Sequence, residues 1–373
     1  MSIKPLITAL LLDLSVTLLG NAGAATSPHK NTKASKAAAH KKKPSKKKTP
    51  AVDYEGEFVN FGDWKEVGSY LDEVAARNHW DRNELNTLMA QVRFVDSAVQ
   101  LIKPAPPGKP KNWQAYSQLF IEPVRINAGL KFWNENQTAL ERAEAQYGVP
   151  AEVIVGIIGV ETVYGRNTGR FRVLDALTTL AFAYPETPTR TERMAFFRRE
   201  LEATLQYARK NNLDPLSLRG SFAGAIGMPQ FMPSNVMKYA VDFDGDGQID
   251  LLNSPADAIG SVAAFLVAHG WQRELNGAIV YPATVSPNLA WERMLNQGLV
   301  ASYAWSELKT AGVSTAEIPP ENTKYGLVDL QNGAEPTEYW LANGNFFAVT
   351  QYNRSYFYAM SVLELGRAIK QLR

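Results

Sequence analysis

The hydrophobic and polar positions divide the chain into long stretches of helical period, one segment nearly free of polar side chains, and a late region of short β-like runs. The near-apolar segment runs from Tyr147 to Arg170 (YGVPAEVIVGIIGVETVYGRNTGR). Its centre, Val153 to Val160, is eight apolar or glycine residues, a composition that suits a buried strand as well as a helix. The flanks favour helix. Pro150 fits the first helical position, Glu152 lies in the first turn where the dipole favours an anion, and Gly165 follows as a stop. On that helix Ile154, Ile157, Ile158 and Glu161 recur at i, i+3, i+4 and i+7, so one carboxylate shares a face with three aliphatic side chains.

Before this segment, WKEVGSYLDEVAARNHW keeps Trp64, Val67, Tyr70, Leu71 and Val74 on one helical face. A Pro-rich loop from Lys103 to Lys111 interrupts, and WQAYSQLFIEP and GLKFWNENQTALERAEAQY then return to helical spacing. Trp113, Phe120, Phe132 and Trp133 are assigned to the core, as aromatic residues at this spacing usually are, while Tyr116 is either core or a hydroxyl facing a cleft. After the segment, RVLDALTTLAFAYP and MAFFRRELEATLQYARKNN form two amphipathic helices joined by the polar insert ETPTRTER. From Gly277 to Val349 the pieces AIVYPATV, GLVDLQNG and NFFAVTQYN read as strands, and Ser355 to Leu372 closes the chain as a helix.

Composition changes this picture mainly at the amino terminus. The 373 residues are 45% hydrophobic and 20% charged, enough for a large core and two or three domains. Cysteine is absent, which excludes disulfides and thiolate metal sites. Lys4, the apolar stretch Leu6 to Leu19 (interrupted by Asp13) and the small residues Ala22-Gly23-Ala24 read as an export signal over residues 1–24. Asn21 stands where a lipoprotein would carry Cys, so the expectation is an exported, soluble, periplasmic protein without a lipid anchor. From Ala25 to Pro50 there are nine Lys and no hydrophobe larger than Ala, so residues 25–52 are expected as a disordered linker. The first 50 residues carry ten Lys against one Asp, or +9 of the net +2, which leaves −7 on the remainder. Behind an export signal this tail reads as a solvated spacer with weak tethering to envelope polymers, and nucleic acid is not expected as a partner.

Four features offer chemistry. Glu161, at the rim of an aliphatic face, loses hydration, and this raises a carboxyl's pKa toward that of a general acid. Its bland alternative is a helix end that points to water or pairs with Arg166 or Arg170. Asp175, the other tempting carboxylate, stands just before ALTTLAFA and is better read as an N-cap. GSFAGAIGMPQFMPSN, Gly220 to Asn235, combines glycines that admit a close ligand with Gln230, whose amide donates and accepts as sugar hydroxyls require; taken alone it is equally a turn-rich connector. In DFDGDGQIDLLNSPAD, Asp242, Asp244 and Asp246 fill positions 1, 3 and 5 of a calcium loop, with Gly247 at 6 and Gln248 at 7. Position 12 is Asn253, so Asp257 is the expected final ligand from a longer loop, and the Ca2+ is expected to be structural and not required for chemistry.

Taken together, GVET around Glu161, RVLDALTTL, GSFAGAIGMPQFMPS, AVDFDGDGQIDL, DAIGSVAAFLVAHGW and YNRSYFYAM resemble the membrane-bound lytic murein transglycosylase B family, in the family's order and over about residues 54–373. The resemblance implies a mainly α (α+β) fold with a lysozyme-like catalytic core between a helical amino-terminal domain and a small β-rich region. The expected divisions are 53–146 helical, 147–275 catalytic core with the calcium loop, 276–350 β-rich, and 351–373 a groove-lining segment and terminal helix. It implies that Glu161 protonates the glycosidic oxygen between N-acetylmuramic acid and N-acetylglucosamine and then takes the proton of the muramyl C6 hydroxyl, leaving a 1,6-anhydro end. Ser221, Gln230, Met228, Phe231, Tyr116, Tyr352, Asn353 and Tyr358 match groove residues, and Arg190 and Arg193 are candidates for the peptide stem. Phe265 stands where a groove Tyr is common. The implied partners are peptidoglycan strands and other cell-wall enzymes, bound by a monomer. Hydrolysis of the same bond and non-catalytic wall binding are the rival readings.

Overall fold

The computed structural model describes residues 60–104, 108, 110–295 and 297–373; the expected export signal and the expected linker, with all residues up to 59, lie outside the described residues. Six helices open it: α1 (Lys65–Asn78), α2 (Arg82–Met89), α3 (Asp96–Leu101), α4 (Trp113–Ser117), α5 (Pro123–Glu135) and α6 (Gln137–Tyr147). The apolar segment forms α7 (Ala151–Thr162), followed by α8 (Val173–Phe182), α9 (Arg190–Lys210), α10 (Pro233–Tyr239) and α11 (Pro255–Ala268). Two short strands, β1 (Phe171–Arg172) and β2 (Arg219–Gly220), pair beside α8. A five-stranded antiparallel sheet comes late, built from β3 (Val280–Val285), β4 (Tyr303–Ala304), β5 (Val313–Thr315), β6 (Lys324–Asn332) and β7 (Glu335–Asn343), in the order β4-β6-β7-β3-β5. The helices α12 (Trp305–Thr310), α13 (Gly344–Thr350) and α14 (Tyr356–Gln371) complete the chain. No described helix is long and apolar enough to cross a membrane.

Four apolar cores, three large and one small, result among the described residues. The largest surrounds α7 with side chains of α5, α6, α11, α13 and α14. A second joins α1 and α2 to α8 and α9, and the small one joins Val95 and Ala98 to Phe171 and Ala176, so the stretch expected as one helical domain, 53–146, contributes to three cores. The third lies on one face of the sheet, where Tyr281, Trp305, Tyr325, Leu327 and Leu341 meet. Alternate residues Val328, Leu330 and Ala342 turn to the opposite face and join the core of α7. Burial on both faces explains why β6 lacks a polar alternation in sequence.

One expectation fails here. NFFAVTQYN is not a strand: Asn345 to Thr350 belong to α13. The Asn343 side chain ends β7 and caps this helix by accepting from the Asn345 N–H at 2.9 Å, a local bond that overrides the β propensity of Phe346, Phe347 and Val349. Pro150, expected inside α7, is its N-cap, and the helix ends at Val163 and Tyr164, both in the left-handed region, before Gly165 is reached.

α7 and α14 run antiparallel in near-backbone contact. A Cβ at Gly156 would collide with the Val362 carbonyl oxygen, and one at Gly366 would collide with that of Glu152. Glycine at both points lets the helices approach until Tyr358 of α14 reaches Glu161 of α7. Gly156→Ala is therefore expected to cost ~1–3 kcal/mol by overpacking, which lowers Tm by about 2–4 °C per kcal/mol. A circular dichroism melt checks this, and an unchanged Tm would show that the crossing tolerates a side chain.

Candidate active site

Glu161 occupies the last turn of α7 after ten residues of which all but Glu152 are buried. Its own side chain keeps partial access to solvent, so it stands at the surface of an apolar floor. The Tyr358 hydroxyl donates to Glu161 Oε1 at 2.7 Å, which leaves Oε2 as the atom to carry a proton. Burial drives the Glu161 pKa up from 4.5 to about 8, and the Tyr358 bond opposes that rise without cancelling it. Tyr116 and Tyr352 lie close enough to feel its charge. The salt-bridge alternative is not what the structure holds: the bonded neighbour of Glu161 is a phenol, and neither Arg166 nor Arg170 contributes to its electrostatics.

Three of the candidate tyrosines thus converge on Glu161. Tyr358 stacks on Tyr352, with ring centres 6.2 Å apart and planes 15° apart, and the Tyr352 hydroxyl donates to the Pro229 carbonyl at 2.9 Å. That bond ties the 351–358 segment to the loop 220–232. Phe231 is buried against Tyr352 (5.8 Å) and Phe265 (5.4 Å), so it serves as wall and core together. Met228 is also buried and rests against Gly165.

The hinge of this arrangement is Thr162, a residue to which the sequence alone gave no role. Its hydroxyl donates to the Met228 carbonyl at 2.9 Å and accepts from the Gly165 N–H at 3.0 Å, so the end of α7 holds both chain segments beside the acid. The only sequence signal was its place next to Glu161. Gln230 takes a left-handed φ of 50° and spends its amide N–H groups on the carbonyls of Thr168 and Gly227, at 3.2 and 2.9 Å. Its carbonyl oxygen has no bond among the described residues. Ser221 Oγ accepts from the Ala225 and Ala223 N–H groups at 3.0 and 3.3 Å, which shapes the turn. Asn353 is buried with Oδ1 unpartnered, an acceptor that a ligand or water would satisfy.

Other candidates fall elsewhere. Asp175 is not the N-cap of α8, since Arg172 holds that position. It is buried in the first turn, paired with Arg172 at 2.6 Å, and accepts from the Arg93 N–H at 3.0 Å, because an incoming chain and a neighbouring guanidinium supply what a cap would otherwise bind. Arg190 and Arg193 gather around Tyr184 in the second core: Arg190 donates to its carbonyl at 2.8 Å, and Arg193 donates to its hydroxyl at 3.1 Å. Neither is brought to Glu161 by any contact of the described residues.

In the acidic loop, Asp242, Asp244 and Asp257 present oxygens within 4.8 Å of one another, a set of hard donors that fits a divalent cation. Asp242 accepts from the Gly245 and Gly247 N–H groups at 2.7 and 2.8 Å, and buried Asp257 accepts from Phe243 and Asp250 at 2.7 and 2.8 Å. The Ser254 hydroxyl holds Asp244 below the usual carboxylate range. Asp246 lies outside this cluster and accepts from the Gln248 N–H at 2.8 Å. Arg142 lies over the Phe243 ring and bonds its carbonyl, which fixes the loop to α6.

The chain is similar to known proteins in sequence and fold. Residues 60–367 match the transglycosylase SLT domain. The membrane-bound lytic murein transglycosylase B of Escherichia coli K12 is 39% identical over 327 residues, covering 85% of each chain. The structure of catenated lytic transglycosylase SltB1 from Pseudomonas aeruginosa superposes with a TM-score of 0.76 at 40% identity, covering 84% of this chain and 99% of its own. That of the E. coli lytic transglycosylase Slt35 in complex with calcium gives 0.74 at 38%, covering 87% and 99%. The helical body with its small antiparallel sheet is the lysozyme-like fold of these enzymes, and the chain belongs to the transglycosylase SLT domain family.

Proposed function

We propose that the protein is a lytic transglycosylase that cleaves the β-1,4 bond between N-acetylmuramic acid and N-acetylglucosamine in peptidoglycan. The observation that carries this reading is a carboxyl, Glu161, raised to about 8 on an apolar floor with tyrosines as its near neighbours. The names of the E. coli and P. aeruginosa relatives support it.

At neutral pH Glu161 is an acid. It gives its proton to the glycosidic oxygen as the bond from that oxygen to the muramyl C1 breaks, and the N-acetylglucosamine side leaves as an alcohol. The resulting carboxylate takes the proton of the muramyl C6 hydroxyl while that oxygen bonds to C1. A 1,6-anhydro ring closes and the acid is regenerated. An internal hydroxyl has a very high effective concentration, so this route does without the second carboxylate that a hydrolytic glycosidase uses on water or sugar. Hydrolysis is the weaker reading because its nearest candidate, Asp175, is committed to Arg172. Wall binding alone gains nothing from a carboxyl held protonated.

In this reading residues 147–275 form the catalytic core, flanked by 53–146 and 276–350, with 351–373 lining the groove. Tyr116, Ser221, Gln230, Tyr352, Asn353 and Tyr358 meet the glycan, and the enzyme works in the periplasm as a monomer. Asp242, Asp244 and Asp257 hold Ca2+ as a structural brace, consistent with the calcium complex of Slt35.

Mass spectrometry of peptidoglycan digests should show anhydro-muramyl ends that vanish with Glu161→Gln; reducing ends would mean hydrolysis, and products from the variant would place the acid elsewhere. Since the acid form is required, kcat/KM should fall as pH rises through about 8. Tyr358→Phe removes the bond that lowers this pKa, so the midpoint of its pH profile should move upward. Chelation should lower Tm more than it lowers the rate at permissive temperature, through loss of binding to the folded state; an unchanged melting curve would rule out the calcium brace.

A further inference from the structure

The rings beside Glu161 do not stop at Tyr352. Tyr352 meets Phe265 at 4.8 Å, Phe265 stacks on His269 at 3.9 Å with planes 24° apart, and His269 meets the edge of Tyr239 at 5.0 Å. Phe265 is buried, whereas His269 and Tyr239 are both half-buried, so the row comes to the surface at its far end. His269 and Phe265 lie one turn apart on α11 and its C-cap, while Tyr239 closes α10. Two elements therefore meet to expose one pair of rings.

The polar atoms of this pair are arranged as open groups. His269 Nδ1 lies 2.7 Å from the Phe265 carbonyl, which only accepts, so Nδ1 carries the proton and Nε2 of the neutral ring is an acceptor. Neither Nε2 nor the Tyr239 hydroxyl bonds any described residue. Two half-buried rings set at 65° to each other, carrying an acceptor and a hydroxyl, suit a sugar, which offers apolar C–H faces and hydroxyls together.

We propose that Tyr239 and His269 form an outer sugar-binding subsite, at the far end of the aromatic row that begins at Tyr358 and Glu161. The subsite holds a hexosamine of the glycan strand away from the reacting bond. It rests on the proposed glycan-cleaving function for its ligand, but it makes a separate claim about chain length: longer strands bind more tightly because they reach these rings.

The test uses the Glu161→Gln protein, so that binding is read without reaction, and β-1,4-linked N-acetylglucosamine trimer and hexamer as probes in calorimetry. The parent should bind hexamer more tightly than trimer. Adding Tyr239→Ala should weaken hexamer binding roughly three- to tenfold, the scale of one lost ring contact, and leave the trimer affinity unchanged. His269→Gln, which replaces the ring with an amide, should act in the same direction, with thermal melts confirming that both variants fold. Equal weakening of both probes, unchanged hexamer binding, or a parent that does not distinguish the probes would overturn the subsite. Failure of the functional reading would appear separately, as the absence of cleavage products from wild-type digests while the length-dependent binding persists.

Discussion

The site depends on the close antiparallel crossing of α7 and α14. Two glycines, Gly156 and Gly366, bring each helix against the other's backbone, and only at that separation does a phenol from one reach a carboxyl on the other. The crossing also explains why the terminal helix is essential to a site whose acid lies some two hundred residues earlier. Lys370 and Glu152, 2.9 Å apart at the other end of the pair, add an exposed ion pair of small energetic weight beside the apolar contact.

Within that frame two effects compete at Glu161. Loss of hydration favours the neutral acid, and the donated Tyr358 bond favours the anion. The first wins, and the carboxyl ends near 8, where a general acid is protonated at neutral pH and still able to give up its proton. The opposing bond keeps the group from rising further and orients it. Thr162 extends the same control outward, because its hydroxyl links the end of α7 to the loop that carries Gln230 and Phe231. Tyr352 then links that loop to α14, which closes a ring of contacts around the acid.

Much of this was legible in the sequence where a pattern repeats. The apolar run of α7 with one carboxylate on its aliphatic face, the capped terminal helix and the Asp-rich loop each carry a local rule. What escaped was set by specific side-chain contacts, some local and some distant in sequence, that hydrophobic patterning does not encode. Asp175 looked like a cap because its neighbours suggest one, but Arg93 and Arg172 claim it. NFFAVTQYN has strand-forming residues, and a single Asn343 bond turns it into α13. The burial of β6 on both faces follows from sandwiching between two cores, and the row of rings from Tyr358 to Tyr239 draws on three separated segments. Arg190 and Arg193, candidates for a peptide stem by their charge, also gather around Tyr184, a contact the sequence did not indicate.

The central claim is that the fold keeps Glu161 protonated at neutral pH. It is tested most directly by titrating the carboxyl carbon of Glu161 by 13C NMR, assigned by difference against the Glu161→Gln protein. The account predicts one carboxyl resonance with its midpoint near 8, well above the ordinary 4.5. A midpoint close to 4.5 would show that the acid is solvated and ionised, and would contradict the account at its root.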